Sequence, residues 1–144
     1  MKRIYVLISI LFFVFSCVSE KKQFTKLGHS ETNIDFVNKL YETNKRNYFT
    51  YPYMYLGGGV AAGDFNNDGL EDLFFTGNMV PNKLYLNLGD FKFKDISKSA
   101  GIEGDNRWYS GVNLVDINND GYLDIYIAVG GENEPNNNVL YVNN

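Results

Sequence analysis

The sequence is poor in the residues that usually carry covalent cross-links and acid–base chemistry. Its 144 residues include one cysteine, Cys17, and one histidine, His29. A single cysteine cannot form an internal disulfide framework, so this thiol needs another explanation. His29 lies in a polar stretch with no acid or nucleophile patterned beside it, which favours a solvated residue over a catalytic one. The length is that of one ordinary domain.

Clusters of positive charge are also missing. The chain has 13 Lys and Arg against 17 Asp and Glu, a formal net charge of −4, and the basic residues are scattered along it. Nucleic-acid binding depends on cations grouped against phosphates. We therefore expect no nucleic-acid partner.

The first residues have the order of an export signal. Lys2 and Arg3 precede an uncharged apolar run over residues 4–15. This run is too short to cross a hydrocarbon core of ~30 Å comfortably as a helix. The pattern predicts a signal peptide over residues 1–16; a retained anchor helix or a buried core helix is the alternative.

Cys17 lies where the signal would be cleaved. The letters "VFSC" resemble the lipobox of bacterial lipoproteins, in which the cysteine becomes the lipidated N-terminus. The alternative is an ordinary cleaved signal with an incidental thiol. Cleavage there moves the net charge to −6, because Lys2 and Arg3 are lost. Residue 18 is Val and not Asp, so we expect an exported, lipid-anchored protein at the outer membrane or cell surface, with residues 17–32 as a polar tether.

The segment after the tether has no single period. Ile34 and Phe36 alternate as in a short strand, whereas one face of a helical turn could run through Val37, Leu40 and Tyr41. The pattern leaves these two interpretations open. The aromatic run over residues 48–55 predicts extended chain interrupted by Pro52.

A repeat occupies the rest of the sequence. "GVAAGDFNNDGLEDLFFTGN" (residues 59–78) aligns with "GVNLVDINNDGYLDIYIAVG" (residues 111–130), and "NKLYLN" and "NNVLYVN" follow the two copies. The period is a little over fifty residues. Short strands, glycine turns and this period are typical of propeller blades.

Each unit offers four candidate strands, which in the first unit are centred near Val60, Leu73, Leu84 and Phe91, with "SKSAGI" as a turn-forming linker. One such sheet becomes stable only when a neighbour stacks on it. Closed rings need about four to eight blades. We expect an all-β fold of two blades over residues 33–144, belonging to a larger closed propeller or to a truncated gene product.

The repeated acidic loop has the ligand spacing of a Ca²⁺ site. Oxygen donors at positions one, three, five and nine, a backbone carbonyl at seven and a glycine at six allow a loop to wind around the ion. In the first loop these donors are Asp64, Asn66, Asp68, Leu70 (carbonyl) and Asp72. In the second loop they are Asp116, Asn118, Asp120, Tyr122 (carbonyl) and Asp124.

Other interpretations of the loop explain less. Asn, Asp and Gly also form metal-free turns, but three carboxylates in one tight turn would repel each other. Neither His nor Cys takes part, which disfavours Zn²⁺ and Cu²⁺. An EF-hand needs Glu at position twelve and flanking helices, whereas Phe75 and Ile127 occupy that position in β-rich runs.

These motifs together resemble FG-GAP/VCBS-type β-propeller repeats, the integrin-like blades whose Asp-rich loop binds Ca²⁺. The leader, the aromatic segment and "GGGVAAGDFNNDG" look like the start of VCBS-repeat lipoproteins of Bacteroidetes-type bacteria, a family associated with ASPIC/UnbV domains. The resemblance covers about residues 24–144. It implies that both ligand sets above bind Ca²⁺.

The function that we expect from the sequence is non-enzymatic. It is a Ca²⁺-stabilised propeller segment that serves binding, adhesion or scaffolding, with a glycan or protein ligand at the cell surface. A non-catalytic part of a polysaccharide lyase or hydrolase and a non-functional gene fragment are the alternatives. Trp108 and Tyr109 are expected to pack between blades, with stacking on sugar rings as the alternative.

Overall fold

The structure is a computed structural model that describes residues 22–105, 107–131 and 135–144. The predicted signal peptide and Cys17 lie outside these ranges. The described chain forms a four-stranded and a three-stranded antiparallel sheet, so the all-β prediction is confirmed. The strands are β1 (Val60–Gly63), β2 (Asp72–Phe75), β3 (Lys83–Asn87), β4 (Phe93–Asp95), β5 (Trp108–Val115), β6 (Asp124–Gly130) and β7 (Val139–Tyr141).

Both sheets follow the chain in simple order, β1-β2-β3-β4 and β5-β6-β7. The prediction for the fourth strand is displaced: Asp90 and Phe91 have left-handed φ angles of 49° and 57°, so they form a turn and β4 begins at Phe93. Within the described residues, the second sheet has three strands where the repeat suggested four.

Three short helical segments lie in chain that was predicted to be irregular or extended. Residues 48–55 are not fully extended, because Pro52 begins a 3-10 turn, Pro52–Tyr55, where its fixed φ suits the first helical position. The predicted linker contains helix α2 (Ser97–Ala100), which ends at Gly101 with a left-handed φ of 70°. Helix α1 (His29–Thr32) lies in the predicted tether.

The core lies between the two sheets. Phe74 and Leu84 are cross-strand partners on one face of the first sheet, and Ile125 and Ile127 face them from β6. Tyr109 belongs to the same buried cluster, which confirms its predicted role in packing between blades. Phe65 and Ile102 complete the cluster.

The sheets stack in the same sense, as successive units of one repeat. Ile125 and Ile127 are the repeat counterparts of Leu73 and Phe75, which lie on the face of the first sheet that points away from the second. One sheet therefore offers its Phe74 face to the next sheet's Ile125 face. This arrangement is that of two neighbouring blades.

Glycines let β1 and β5 approach closely. A Cβ atom at Gly63 would lie 2.5 Å from Cδ1 of Leu114, and a Cβ at Gly59 would lie 2.6 Å from the carbonyl oxygen of Ser110. Both distances are shorter than any packed contact. The small residues of β1 therefore set the spacing of the sheets at this edge.

Trp108 is buried at the start of β5, beside Tyr109. The ring of Tyr51 meets it edge-on at 5.2 Å, and the guanidinium of Arg46 lies 5.2 Å from its ring centre. Trp108 thus packs against the aromatic segment that precedes the repeat and is not part of the cluster between the sheets, so the prediction that it packs between blades is wrong.

A matched pair of leucines tests this packing. Leu84 and Leu140 occupy the same repeat position, with exposed fractions of 5% and 41%. We expect Leu84→Ala to lower the free energy of unfolding by about 2–5 kcal/mol, because it opens a cavity between the sheets. Leu140→Ala should cost about 1 kcal/mol or less. Urea denaturation measures both, and equal losses would contradict this assignment of the core.

Candidate metal centres

The two acidic loops follow the same backbone course. Asn67 and Gly69 have left-handed φ angles of 58° and 86°, and their counterparts Asn119 and Gly121 have φ angles of 60° and 90°. Asn and Gly are the residues that tolerate this conformation best. The repeated sequence therefore produces a repeated loop shape.

The first carboxylate of each loop is held by backbone N–H groups across the turn. Asp64 accepts hydrogen bonds from the N–H of Asp68 at 3.0 Å and of Gly69 at 2.8 Å. In the second loop, Asp116 accepts the equivalent two bonds at 3.0 and 2.9 Å. Each of these carboxylates thus lies on the concave side of its loop.

The donors at positions three and five are joined to each other. The Asn66 amide donates to Oδ2 of Asp68 at 2.8 Å, and Oδ1 of Asp68 accepts from the N–H of Leu70 at 2.9 Å. In the second loop, Asn118 donates to Asp120 at 2.6 Å. The structure therefore brings the first three predicted ligands of each loop together, with the first aspartate half-buried and the other two side chains exposed.

The carboxylate at position nine has a different environment. Asp72 is completely buried, and its two oxygens accept hydrogen bonds from the N–H of Phe65 at 3.0 Å and of Asn87 at 2.7 Å. These bonds join the first residue of β2 to the acidic loop and to the end of β3. Asp72 thus has a structural role that the sequence analysis missed.

Asp124 repeats this arrangement in the second unit. It is completely buried and accepts bonds from the N–H of Ile117 at 2.9 Å and of Asn143 at 2.8 Å. The asparagine that ends both "KLYLN" and "VLYVN" was a signal for this role, because its backbone N–H reaches the buried carboxylate in each copy.

The electrostatic surroundings of Asp72 are unfavourable for a negative charge. Burial raises the pKa of its carboxyl, and the bonds from Asn87 and Phe65 oppose that rise. The charges of Asp68 and Asp64 raise the pKa further. Asp72 is therefore within electrostatic reach of the other two aspartates of its loop.

The donor chemistry fits a hard cation. Carboxylate, amide and carbonyl oxygens are the ligands that Ca²⁺ takes, usually six to eight with water included. Among the described residues, no three His, Cys, Asp or Glu side chains are grouped closely enough to hold a metal by themselves. An ion in the first loop would therefore also need the Asn66 amide oxygen and the Leu70 carbonyl.

The two loops contact each other. The Asn67 amide of the first loop donates to the carbonyl of Gly121 in the second loop at 3.1 Å. The amide of Asn143, which follows β7, donates to the carbonyl of Phe65 in the first loop at 2.8 Å. Both predicted sites thus lie at one edge of the stacked sheets. The sequence pattern did not indicate this proximity, because each loop was identified separately.

Comparison with known proteins agrees with the repeat. Residues 64–127 match the family model described as "FG-GAP-like repeat". This part of the chain is similar to FG-GAP-like repeats. The match begins at the first residue of the first loop and includes all of the second.

Relatives are also found among characterised proteins. The chain is 38% identical to Cartilage acidic protein 1 of Xenopus tropicalis over 90 residues, which is 62% of this chain and 14% of that protein. It is 39% identical to Cartilage acidic protein 1 of Homo sapiens over 72 residues, 49% of this chain and 11% of the human protein. The match therefore spans only a small part of these relatives. No solved structure matches the chain significantly.

No helix in the described ranges has the length and apolar character needed to cross a bilayer.

The two kinds of aspartate should respond differently to substitution when no metal is available. In EDTA, we expect Asp72→Ala to destabilise the fold by about 1–3 kcal/mol for each buried N–H left without an acceptor. Asp68→Ala removes an exposed side chain and should change stability by about 0.5 kcal/mol or less. Urea denaturation in chelator checks this difference, and similar losses for both variants would refute the structural role of Asp72.

Proposed function

We propose that this chain is a Ca²⁺-binding propeller segment with a non-enzymatic binding, adhesion or scaffold role at the cell surface. The observation that carries the proposal is the repetition of one loop geometry. Asp64 and Asp116 each accept two hydrogen bonds from equivalent backbone N–H groups of their own loop. Asn66 and Asn118 each donate to the aspartate two residues further along. A turn that only joins two strands does not need the same oxygen-bearing side chains at every position in both copies.

Each ion would be held by the donors at positions one, three, five, seven and nine. Its contribution would be to neutralise carboxylates that otherwise repel each other. The exposed position of both loops suits the low affinity of extracellular Ca²⁺ modules, whose Kd is about 10⁻⁴–10⁻³ M. The ten residues concerned are Asp64, Asn66, Asp68, Leu70 (carbonyl), Asp72, Asp116, Asn118, Asp120, Tyr122 (carbonyl) and Asp124.

A surface role is supported by the segment before the repeat. Tyr48, Phe49, Tyr53 and Tyr55 are all exposed, and Leu56 adjoins them. Several large exposed apolar side chains close together in the chain often mark an interaction site. A glycan or protein ligand at the cell surface is consistent with this group.

Anchoring is the second part of the proposal. We infer that the chain is exported as a lipoprotein of the VCBS-repeat type, with lipid attached at Cys17 and residues 17–32 as the tether to the outer membrane or cell surface. The support is the order of basic residues, apolar run and cysteine in the leader.

Thermal unfolding with and without Ca²⁺ tests the metal sites. We expect Ca²⁺ to raise the Tm of the wild type, because a ligand that binds only the folded state stabilises it. Asp68→Ala and Asp120→Ala should each lose part of that rise and match the wild type in EDTA.

A control for charge is available inside the same loop. Glu71 lies at position eight, which carries no predicted ligand, and its side chain is exposed. Glu71→Gln should keep the full rise in Tm with Ca²⁺. An equal loss for Glu71→Gln and Asp68→Ala, or a loss for Asp68→Ala that persists in EDTA, would overturn the site assignment.

Lipid attachment is tested separately in a bacterial host. With radiolabelled palmitate, we expect the wild-type chain to be labelled and to fractionate with membranes. Cys17→Ser should be unlabelled, because the acceptor thiol is gone. Labelling of Cys17→Ser would show that Cys17 is not the attachment site.

A further inference from the structure

A hydrogen bond between side chain and backbone joins the two acidic loops directly. The Asn67 side chain lies between two predicted ligands of the first loop. Its amide donates to the carbonyl oxygen of Gly121, in the second loop, at 3.1 Å. The two residues are 54 positions apart in the sequence. The stacking of the two units therefore creates this contact.

Gly121 is in turn bonded to two predicted ligands of its own loop. Its N–H donates to the carboxylate of Asp116 at 2.9 Å. The peptide group that follows Gly121 carries the carbonyl oxygen held by Asn67. The N–H of this same group belongs to Tyr122 and donates to Asp120 at 2.9 Å. One peptide group is thus bonded to the first loop on one side and to a predicted ligand of the second loop on the other.

A second connection joins the aspartates at position nine. The Asn143 amide donates to the carbonyl of Phe65 at 2.8 Å, and the N–H of Phe65 donates to Asp72 at 3.0 Å. The backbone N–H of Asn143 donates to Asp124 at 2.8 Å. Three hydrogen bonds through two intervening residues therefore link Asp72 to Asp124.

The two connections differ in their exposure to water. Asp72 and Asp124 are completely buried, Phe65 is buried and Asn143 is half-buried. Hydrogen bonds in such surroundings are stronger than hydrogen bonds in water. The bond from Asn67 is exposed. The loops thus have one inner and one outer connection, which can be removed separately.

The charges of the loops do not oppose the binding of two ions. Residues 64–72 include three aspartates and Glu71, a formal charge of −4, and residues 116–124 include three aspartates, a formal charge of −3. Because each Ca²⁺ adds a charge of +2, the loaded loops would have formal charges of −2 and −1. A loaded loop would therefore still attract a second cation.

We infer that the two loops bind Ca²⁺ with positive coupling, and that Asn67 and Asn143 are the positioning residues that carry it. This inference rests on the Ca²⁺ sites proposed above. An ion in one loop would order that loop, and the two connections would pass part of this order to the other. The second loop to bind would then lose less conformational entropy. Coupling of this kind is reciprocal, so each loop strengthens binding in the other.

Titration of single-site variants measures the coupling. The full chain is kept in one nonionic detergent, and isothermal titration calorimetry follows the binding of Ca²⁺. Asp120→Ala leaves the first loop as the binding site, and Asp68→Ala leaves the second, so each affinity is obtained by itself. We expect the overall association constant of the wild type for two ions to exceed the product of these two single-site constants about fivefold or more.

Asn67 and Asn119 provide a matched pair of variants for the outer connection. Their φ angles are 58° and 60°, and glycine adopts this conformation readily, so a change to glycine keeps the course of either loop. In the part of the chain that the structure describes, no hydrogen bond joins the Asn119 side chain to another loop. Asn67→Gly should therefore reduce the coupling, whereas Asn119→Gly should leave it at the value of the wild type.

Asn143 and Asn87 provide a second pair for the inner connection. Their backbone N–H groups bond the buried aspartates of their own units, and a change to alanine keeps these bonds. The Asn87 amide, however, donates to the carbonyl of Glu71 in its own unit at 3.0 Å. We expect Asn143→Ala to reduce the coupling and Asn87→Ala to retain it, with circular dichroism confirming that both variants fold.

The outcomes distinguish this inference from the proposed function. A wild type that binds no Ca²⁺ would overturn both. Two sites that bind as the single-site variants predict would overturn the coupling and leave the Ca²⁺ sites in place. Coupling that persists in Asn67→Gly and Asn143→Ala, or that falls equally in the two control variants, would show that these bonds do not carry it. Asn67 is exposed, so Asn67→Gly decides alone if Asn143→Ala does not fold.

Discussion

The fold depends on two buried carboxylates, each of which accepts two backbone hydrogen bonds. Asp72 and Asp124 are completely removed from solvent, and a buried charge is tolerated only when hydrogen bonds replace its hydration. The N–H groups that do so come from the acidic loop and from the end of the next strand in the sheet. The loop, the strand that follows it and the strand beyond are therefore held together at one point.

This constraint gives the loop a shape before any ion is considered. Its last aspartate is bonded to the sheet and its first aspartate is bonded across the turn, so the loop is held at both ends. A loop held in this way would lose less conformational entropy on binding a cation. The loop's carboxylates also repel one another, which is an energetic cost that a bound cation would remove. Connection of strands and cation binding are thus compatible uses of the same residues.

The sequence predicts the parts of the fold that depend on local pattern. β1, β2 and β3 each contain the residue around which a strand was predicted, because alternation and flanking turn residues determine them. The turn at Asp90 and Phe91 delays β4, and the pairing of Asp72 with Asn87 spans 15 residues, so neither follows from neighbouring letters. The extended segment of residues 34–40, called the strap here, is the clearest example. Its conformation is set by Phe75 and Tyr85, about 40 and 50 residues further along the chain, and its own sequence is compatible with two alternatives.

The strap also shows how one repeated unit can have two different neighbours. At the interface between the sheets, Tyr141 lies near the Tyr109 hydroxyl and the carboxylate of Asp105, whereas its counterpart Tyr85 meets Asp35 of the strap. A tyrosine paired with an acid is thus reproduced by a segment outside the repeat. Apolar residues are kept on the opposite, open face, where Leu140 repeats Leu84 at eight times its exposed fraction. The same repeat position thus meets a neighbouring unit in one sheet and the segment before the repeat in the other.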